Sequence, residues 1–401
     1  MTKQQKLLTL NLFLLTFVLG TSEFVIVGLL TEVSNGLNIA ISTAGALVSA
    51  FAIAFAIAFA IGTPILTAVF SRFSKYPLML ALIAVFIAGN MLTAISGSYG
   101  LLLVSRVITA VVTGVLIALA MAVASEAVPS EKRGAVISII FTGFTIASVI
   151  GVPLGTYLGQ WGGWHMTFWF TALLGIGSFI ASSATIPRGL KGTRSSLKNQ
   201  IGLLTNSRII IAFFIPAFSI AATYTVYTYL TPLLQEVLFV PDRYIGLIFL
   251  LYGVVSIFST LIGGKLAARN GIGKLWYVFL IQAAILASLY VSSSSLVTGL
   301  ISISFIALVV YVMSSTMQLY FIDLADKYFP SAKDLASSLA PVSVNVGIAL
   351  GSALGGWVTT NMELIDVSWV GAIAAVAASL LTFISYRLDR KAVSGYKAVS
   401  N

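Results

Sequence analysis

Cysteine is absent from the 401 residues, and histidine occurs once, at His165. The first absence excludes disulfides and thiolate metal sites. The second rules out a cluster of histidine metal ligands. Charge is also scarce: Asp, Glu, Lys and Arg make up 8% of the chain, against roughly 25% in a soluble domain. No G-x(4)-G-K-[ST] nucleotide loop is present, and no Ser/His/Asp set with an interior His. An enzyme is therefore not expected, nor are catalytic residues, a metal or a cofactor. ATP-driven pumping fails on the same ground.

Apolar residues dominate instead, at 59% of the chain with a mean hydropathy of +1.04. Twelve apolar runs are legible, at about 7–30, 44–66, 78–96, 101–127, 134–157, 165–186, 208–232, 244–268, 275–292, 297–322, 336–358 and 368–388. About 20 apolar residues suffice to cross a bilayer as a helix, and in hydrocarbon the backbone must satisfy its own hydrogen bonds. The reading is an all-α membrane protein with twelve transmembrane helices. The first run is too long for a cleaved signal peptide and lacks a small-residue cleavage pattern.

The net charge of +10 does not point to nucleic acid. With both termini in the cytoplasm, 20 of the 22 basic residues fall on inner loops and tails, while Arg243 lies outside and Arg106 within a run. That is the positive-inside pattern. It predicts a multi-pass membrane protein with both termini on the cytoplasmic side. The polar stretch 187–207 divides the chain into an N-terminal six-helix bundle (1–186), a cytoplasmic linker (187–207) and a C-terminal six-helix bundle (208–401). A weak repeat supports the division: Arg72 and Lys75 follow the second run as Arg269 and Lys274 follow the eighth, and Gly151 and Gly155 correspond to Gly351 and Gly355. Two equivalent halves suit a transporter with its site near the middle of the bilayer.

Four stretches give the chain a resemblance to the major facilitator superfamily. SRFSKYP (71–77), with Arg72 and Lys75, is similar to that family's D-R-x-G-R-[KR] loop, with Ser71 and Ser74 replacing Asp and Gly. GGKLAARNGIGK (263–274) is a second copy, with Arg269 and Lys274 and with Ala268 in place of the Asp. LLVSRVITAVVTG resembles the R-x-x-x-G motif, with Arg106 as its arginine and Ala110 replacing the glycine. GFTIASVIGVPLG resembles the antiporter signature G-x(7)-G-x-P-x-x-G through Gly143, Gly151, Pro153 and Gly155. The strings GTSEFVIVGLL, YTYLTPLL and NVGIALGSALGG extend the likeness to the family's bacterial drug:proton antiporters, including sugar-efflux, arabinose-efflux-like and purine-efflux members. The resemblance implies a pseudo-symmetric 6+6 fold, export by exchange with protons, and a monomer in the lipid bilayer with a small-molecule substrate and no nucleic acid.

Glu23 is the single charge in the first run, and a carboxylate at that depth costs at least ~2.5 kcal/mol unless protonated, paired or wetted. Glu23 and Arg106 lie seven and five residues from the outer ends of their runs, both roughly 8–10 Å deep at 1.5 Å per residue. The expectation is that Arg106 holds Glu23 ionised in one state and releases it on protonation; the alternative is a permanent ion pair that only stabilises. Tyr224 and Tyr227, with Gln318 and Asn345, are candidate substrate contacts through ring stacking and amide bonds, while Tyr229 suits an interfacial belt and Asn90 bonds neighbouring helices. Gly143, Gly151, Pro153 and Gly155 are expected to pack the fifth helix closely against the eighth or eleventh, with Gly351 and Gly355 as counterparts and Arg72, Lys75, Arg269 and Lys274 as gating charges. Glu126 suits a salt bridge to the opposite half. His165 is expected at the outer interface beside Trp161 and Trp164.

The leading expectation is proton-coupled export of drug-like compounds, sugars or nucleobases. A proton symporter or facilitator for uptake is the alternative, and a receptor or scaffold without transport is the alternative from another class.

Overall fold

A computed structural model of the chain describes residues 1–68, 74–190, 205–269, 271–330 and 333–399. Among them, twelve helices are long and apolar enough to cross a membrane. In chain order these are α1 (Lys3–Gly28), α2 (Ile41–Ile61), α3 (Lys75–Ala94), α4 (Tyr99–Ala127), α5 (Arg133–Gly162) and α6 (Trp164–Thr185). There follow α7 (Ser207–Tyr227), α8 (Asp242–Ala267), α9 (Gly271–Ser292), α10 (Leu296–Tyr328), α11 (Ser338–Asn361) and α12 (Leu364–Arg390).

Local chemistry sets the helix starts. Thr2 and Gln5 form a reciprocal capping box at α1, the Gln5 N–H donating to Thr2 Oγ1 at 3.2 Å and the Thr2 N–H to Gln5 Oε1 at 2.9 Å. Asn206 caps α7, its Oδ1 accepting from the Arg208 N–H at 2.9 Å.

The predicted runs differ from the helices where the backbone is interrupted. The seventh run was expected to continue to 232, but α7 stops at Tyr227 and a short turn, Leu230–Pro232, leads into a π-helical turn at Leu233–Val237. Pro232 has no N–H to continue the ladder. Inside α10 the helix breaks between Val309 and Ser314, where the Tyr311 N–H donates to Ser259 Oγ of α8 at 2.9 Å. Gly263 of α8 permits this approach, because a Cβ there would lie 3.1 Å from the Val312 Cα. A π-helical turn at Ala147–Gly151 interrupts α5 just before Pro153. A widened turn of this kind re-routes the hydrogen bond that proline forgoes.

The chain forms two compact units. The first comprises Met1–Ser195 with Tyr229–Glu236 and Val240–Gly253; the second comprises Ser196–Thr228, Val237–Phe239 and Val254–Asn401. In the first, α1 packs on α5 and α6, and α3 packs on α4 and α6. In the second, α7 packs on α11 and α12, and α9 packs on α10 and α12. The same pairings recur six helices on, so the weak sequence repeat corresponds to a repeated architecture. The core helices of the two units are α1 and α7, whose apolar windows are 78% and 72% buried against 33% for α9.

The run FAIAFAIAFAI in α2 shows how sequence sets a face. Phe51, Phe55 and Phe59 recur every four residues and are buried, while Ile53, Ile57 and Ile61, also four apart, are exposed on the other side.

Candidate functional site

The site is built on α1. Ser22 and Glu23 sit on its buried length, with Ser22 fully enclosed and Glu23 only 6% exposed. Arg106 of α4 is fully buried beside them. Its Nη1 donates to the Ser22 carbonyl oxygen at 2.6 Å, and its Nη2 donates to the Glu23 carbonyl oxygen at 3.2 Å. Among the described residues neither carboxylate oxygen of Glu23 has a hydrogen-bond partner, and neither does Arg106 Nε. The hydrogen bonds of Arg106 in this region thus go to the main chain of α1. Its two terminal nitrogens span the two successive carbonyls of Ser22 and Glu23.

Aromatic rings complete the setting. The Arg106 guanidinium carbon lies 4.3 Å from the ring centroid of Phe51 on α2 and 5.6 Å from that of Phe168 on α6. Phe51 and Phe168 are the residues that sequence reasoning missed. The four-residue repeat of phenylalanine in α2 was the available signal, since it places three rings on one face.

Ser22 is held from the opposite side. Its hydroxyl donates to Asn90 Oδ1 of α3 at 2.9 Å, and Asn90 Nδ2 donates to the Phe86 carbonyl at 2.9 Å. Nearby, Thr93 of α3 and Ser105 of α4 share a hydroxyl–hydroxyl bond of 2.9 Å.

The glycines of α5 face this same helix. A Cβ at Gly151 would meet Thr21 at 3.0 Å, one at Gly143 would strike the Phe13 carbonyl oxygen, and one at Gly155 would strike Val25. From the α1 side, a Cβ at Gly20 would sit 2.8 Å from that of Ala147. Gly143, Gly151 and Gly155 therefore pack α5 on α1, where α8 or α11 was expected. Within the first unit α5 also meets α8: Gly253 lies over Val149 in the π-turn, where a Cβ would be 2.7 Å from the Val149 Cα, and a Cβ at Gly246 would be 3.5 Å from the Pro153 carbonyl oxygen. Pro153 is half-buried one turn beyond.

In the second unit Tyr224 and Tyr227 of α7 are buried, with ring centroids 5.3 Å apart at 67°. Tyr224 begins against Gly351 of α11, where a Cβ would be 2.9 Å from the Tyr224 Cβ. Asn345 of α11 is 3% exposed; its Nδ2 donates to the Pro341 carbonyl at 3.1 Å, and its Oδ1 has no hydrogen-bond partner among the described residues. Gln318 is half-buried on α10, and Gly355 is buried on α11. Gln282 of α9 makes a closed set with α7: Nε2 donates to the Ser219 carbonyl and to Thr223 Oγ1, both at 2.9 Å, and Oε1 accepts from Ser219 Oγ at 3.1 Å.

The remaining charges lie at helix ends. Lys75, buried at the start of α3, pairs with Glu126 at the end of α4. Glu126 meets Lys75 because α3 and α4 are antiparallel neighbours, with the start of one beside the end of the other. Arg208 pairs with Asp389 of α12, and Tyr320 of α10 donates to Asp389 Oδ2 at 2.8 Å. Arg269 and Lys274 are exposed, and Arg72 lies outside the described residues. Tyr229, expected at the interface, is fully buried with its hydroxyl against Gly45. His165 is exposed and stacks on Trp164 with ring centroids 3.7 Å apart. At the start of α8, Asp242 accepts from Gln235 Nε2 through its carboxylate and from Gln160 Nε2 through its carbonyl, both at 2.8 Å.

Comparison with known proteins places these features in context. The model of the Major Facilitator Superfamily matches residues 12–333. The uncharacterized MFS-type transporter YtbD of Bacillus subtilis is 39% identical over 376 residues, 94% of each chain. The inner membrane transport protein YdhP of Escherichia coli K12 is 31% identical over 378 residues, covering 94% of this chain and 95% of YdhP. Among solved structures, a bacterial homologue of the human lysosomal transporter Spinster superposes with a TM-score of 0.78 at 16% identity, covering 96% of this chain and 98% of the other. The nucleoside transporter NupG gives 0.75 at 14% identity, covering 96% and 99%.

Proposed function

The chain belongs to the major facilitator superfamily, and from that premise we propose that it exports small molecules from the bacterial cytoplasm in exchange for protons, by alternating access. The observation that carries this reading is the Glu23 carboxylate, buried within the membrane with both oxygens lacking a hydrogen-bond partner among the described residues. An ionised group in that setting is costly, so it favours a proton or a substrate group that donates hydrogen bonds. Because Arg106 is tied to main-chain oxygens, Glu23 takes up or releases its proton without breaking an existing hydrogen bond. The Gly143–Gly151–Pro153–Gly155 pattern of α5 supports exchange over uptake. Tyr224, Tyr227, Gln318 and Asn345 are the proposed substrate contacts, suited to drug-like compounds, sugars or nucleobases. The coupling ion is the proton, with no other cofactor. The working form is a monomer in the cytoplasmic membrane with both termini inside.

The test uses everted vesicles energised to an acidic lumen. Ethidium, arabinose and adenine are added separately, and a pH dye reports proton release. One of them is expected to dissipate the gradient in wild type and not in Glu23→Gln. Equal responses in wild type and Glu23→Gln would sink the assignment of Glu23.

A further inference from the structure

We propose that Asn90 and Ser22 are positioning residues that fix the Glu23 carboxylate for its proton exchange, acting through the main chain of α1. The inference rests on the proton-coupling reading above and names what holds its acidic group in place.

Three hydrogen bonds converge on two successive residues. The Ser22 hydroxyl is committed to Asn90 Oδ1 at 2.9 Å, the Ser22 carbonyl to Arg106 Nη1 at 2.6 Å and the Glu23 carbonyl to Arg106 Nη2 at 3.2 Å. Asn90 is itself held in one orientation, because its Nδ2 donates to the Phe86 carbonyl at 2.9 Å, which leaves Oδ1 to accept. Ser22, Asn90 and Arg106 are all fully buried. In such surroundings each bond is strong and each broken one leaves a costly orphan. The Glu23 backbone is therefore pinned from α3 and α4 together, while its carboxylate keeps both oxygens unpartnered. Moving Asn90 shifts Ser22, and through it the distance between the carboxylate and the Arg106 charge.

The second unit provides a built-in comparison. Gln282 of α9 holds Ser219 of α7, as Asn90 of α3 holds Ser22 of α1. There the next residue is Ile220, so the same tie has no acid to orient.

The test reads Glu23 directly and needs no substrate. Purified protein is titrated by infrared spectroscopy, following the protonated-carboxyl band that disappears in Glu23→Gln. Ser22→Ala and Asn90→Leu are expected to displace the midpoint of that band by at least about half a pH unit, a threefold change in proton affinity. Ser22→Thr, which keeps the hydroxyl, is expected to restore it. Ser219→Ala is expected to leave it unchanged while lowering the thermal midpoint. Wild-type midpoints in folded Ser22→Ala and Asn90→Leu would overturn the proposal, as would the absence of any band lost in Glu23→Gln. Failure of the parent reading shows differently: Glu23→Gln would then transport normally in the vesicle assay, whatever the infrared midpoints.

Discussion

Arg106 donates to the backbone carbonyl of Glu23 at 3.2 Å, while the carboxylate of the same residue receives no hydrogen bond from it. The arginine thus acts on the position of the acid as well as on its charge. Lysine keeps the charge but replaces a two-nitrogen fork with one nitrogen. A hydrogen bond to a charged group contributes about 1.5–3 kcal/mol. Arg106→Lys is therefore expected to reduce proton-driven exchange ~10-fold or more while the protein remains folded, measured as initial rates in vesicles at equal protein content. A wild-type rate would show that the second carbonyl contact is dispensable.

Phe51 makes a prediction that separates ring from bulk. Its face lies 4.3 Å from the Arg106 guanidinium carbon, and a desolvated cation–π contact is worth about 2 kcal/mol. Phe51→Leu retains most of the apolar volume and loses the ring, whereas Phe51→Tyr retains the ring. The leucine variant is expected to melt several degrees lower in detergent and to transport less, and the tyrosine variant is expected to stay close to wild type in transport. Indistinguishable leucine and tyrosine variants would remove the cation–π argument.

The glycines of α5 are graded by what faces them. At Gly143 an added Cβ strikes the carbonyl oxygen of Phe13, a main-chain atom that cannot rotate away. At Gly100, near the start of α4, nothing lies within 4 Å. Overpacking of this kind costs typically ~1–3 kcal/mol. Gly143→Ala is expected to lower the yield and melting temperature of folded transporter, and Gly100→Ala to change neither, in parallel fluorescence-monitored chromatography.

Glu32 carries the pH prediction. It lies in the short helix Leu30–Leu37 beyond α1, where burial raises its carboxyl above the ordinary range, a backbone hydrogen bond partly opposes the shift, and neighbouring Asp242 adds to it. Where the folded value exceeds the unfolded one, the native state binds more protons, so stability falls as pH rises through the interval between them. Glu32→Gln never ionises. It is expected to match wild type at acidic pH and to melt higher above that interval. A variant whose melting temperature tracks wild type across the whole pH series would contradict this.

Much of the fold was legible because the bilayer imposes a coarse rule: each crossing needs a long apolar stretch, and twelve such stretches are present. The ends were less legible where a particular bond interrupts a run, as Pro232 does after α7 and Ser259 does inside α10. Glu23 and Arg106 stood out because intramembrane charge is rare. Their mutual geometry did not, since the oxygens that Arg106 chose belong to the main chain and every residue has one. Glycine spacing on α5 announced a close approach but not the partner, because sequence marks which face is narrow without saying which helix lies against it. Tyr229 looked like an interfacial residue by its place near a helix end, and only Gly45 opposite reveals a slot for its ring.

The close seam between α1 and α5 carries a mechanical consequence. Where a Gly20 side chain would collide with Ala147, and a Gly143 side chain with the Phe13 backbone, two helices have no room to slide past one another independently. They form one packed pair, with Glu23 on one helix and a widened, proline-bounded turn on the other. Any shift of α1 at Gly20 would therefore meet Ala147 directly, through packing alone.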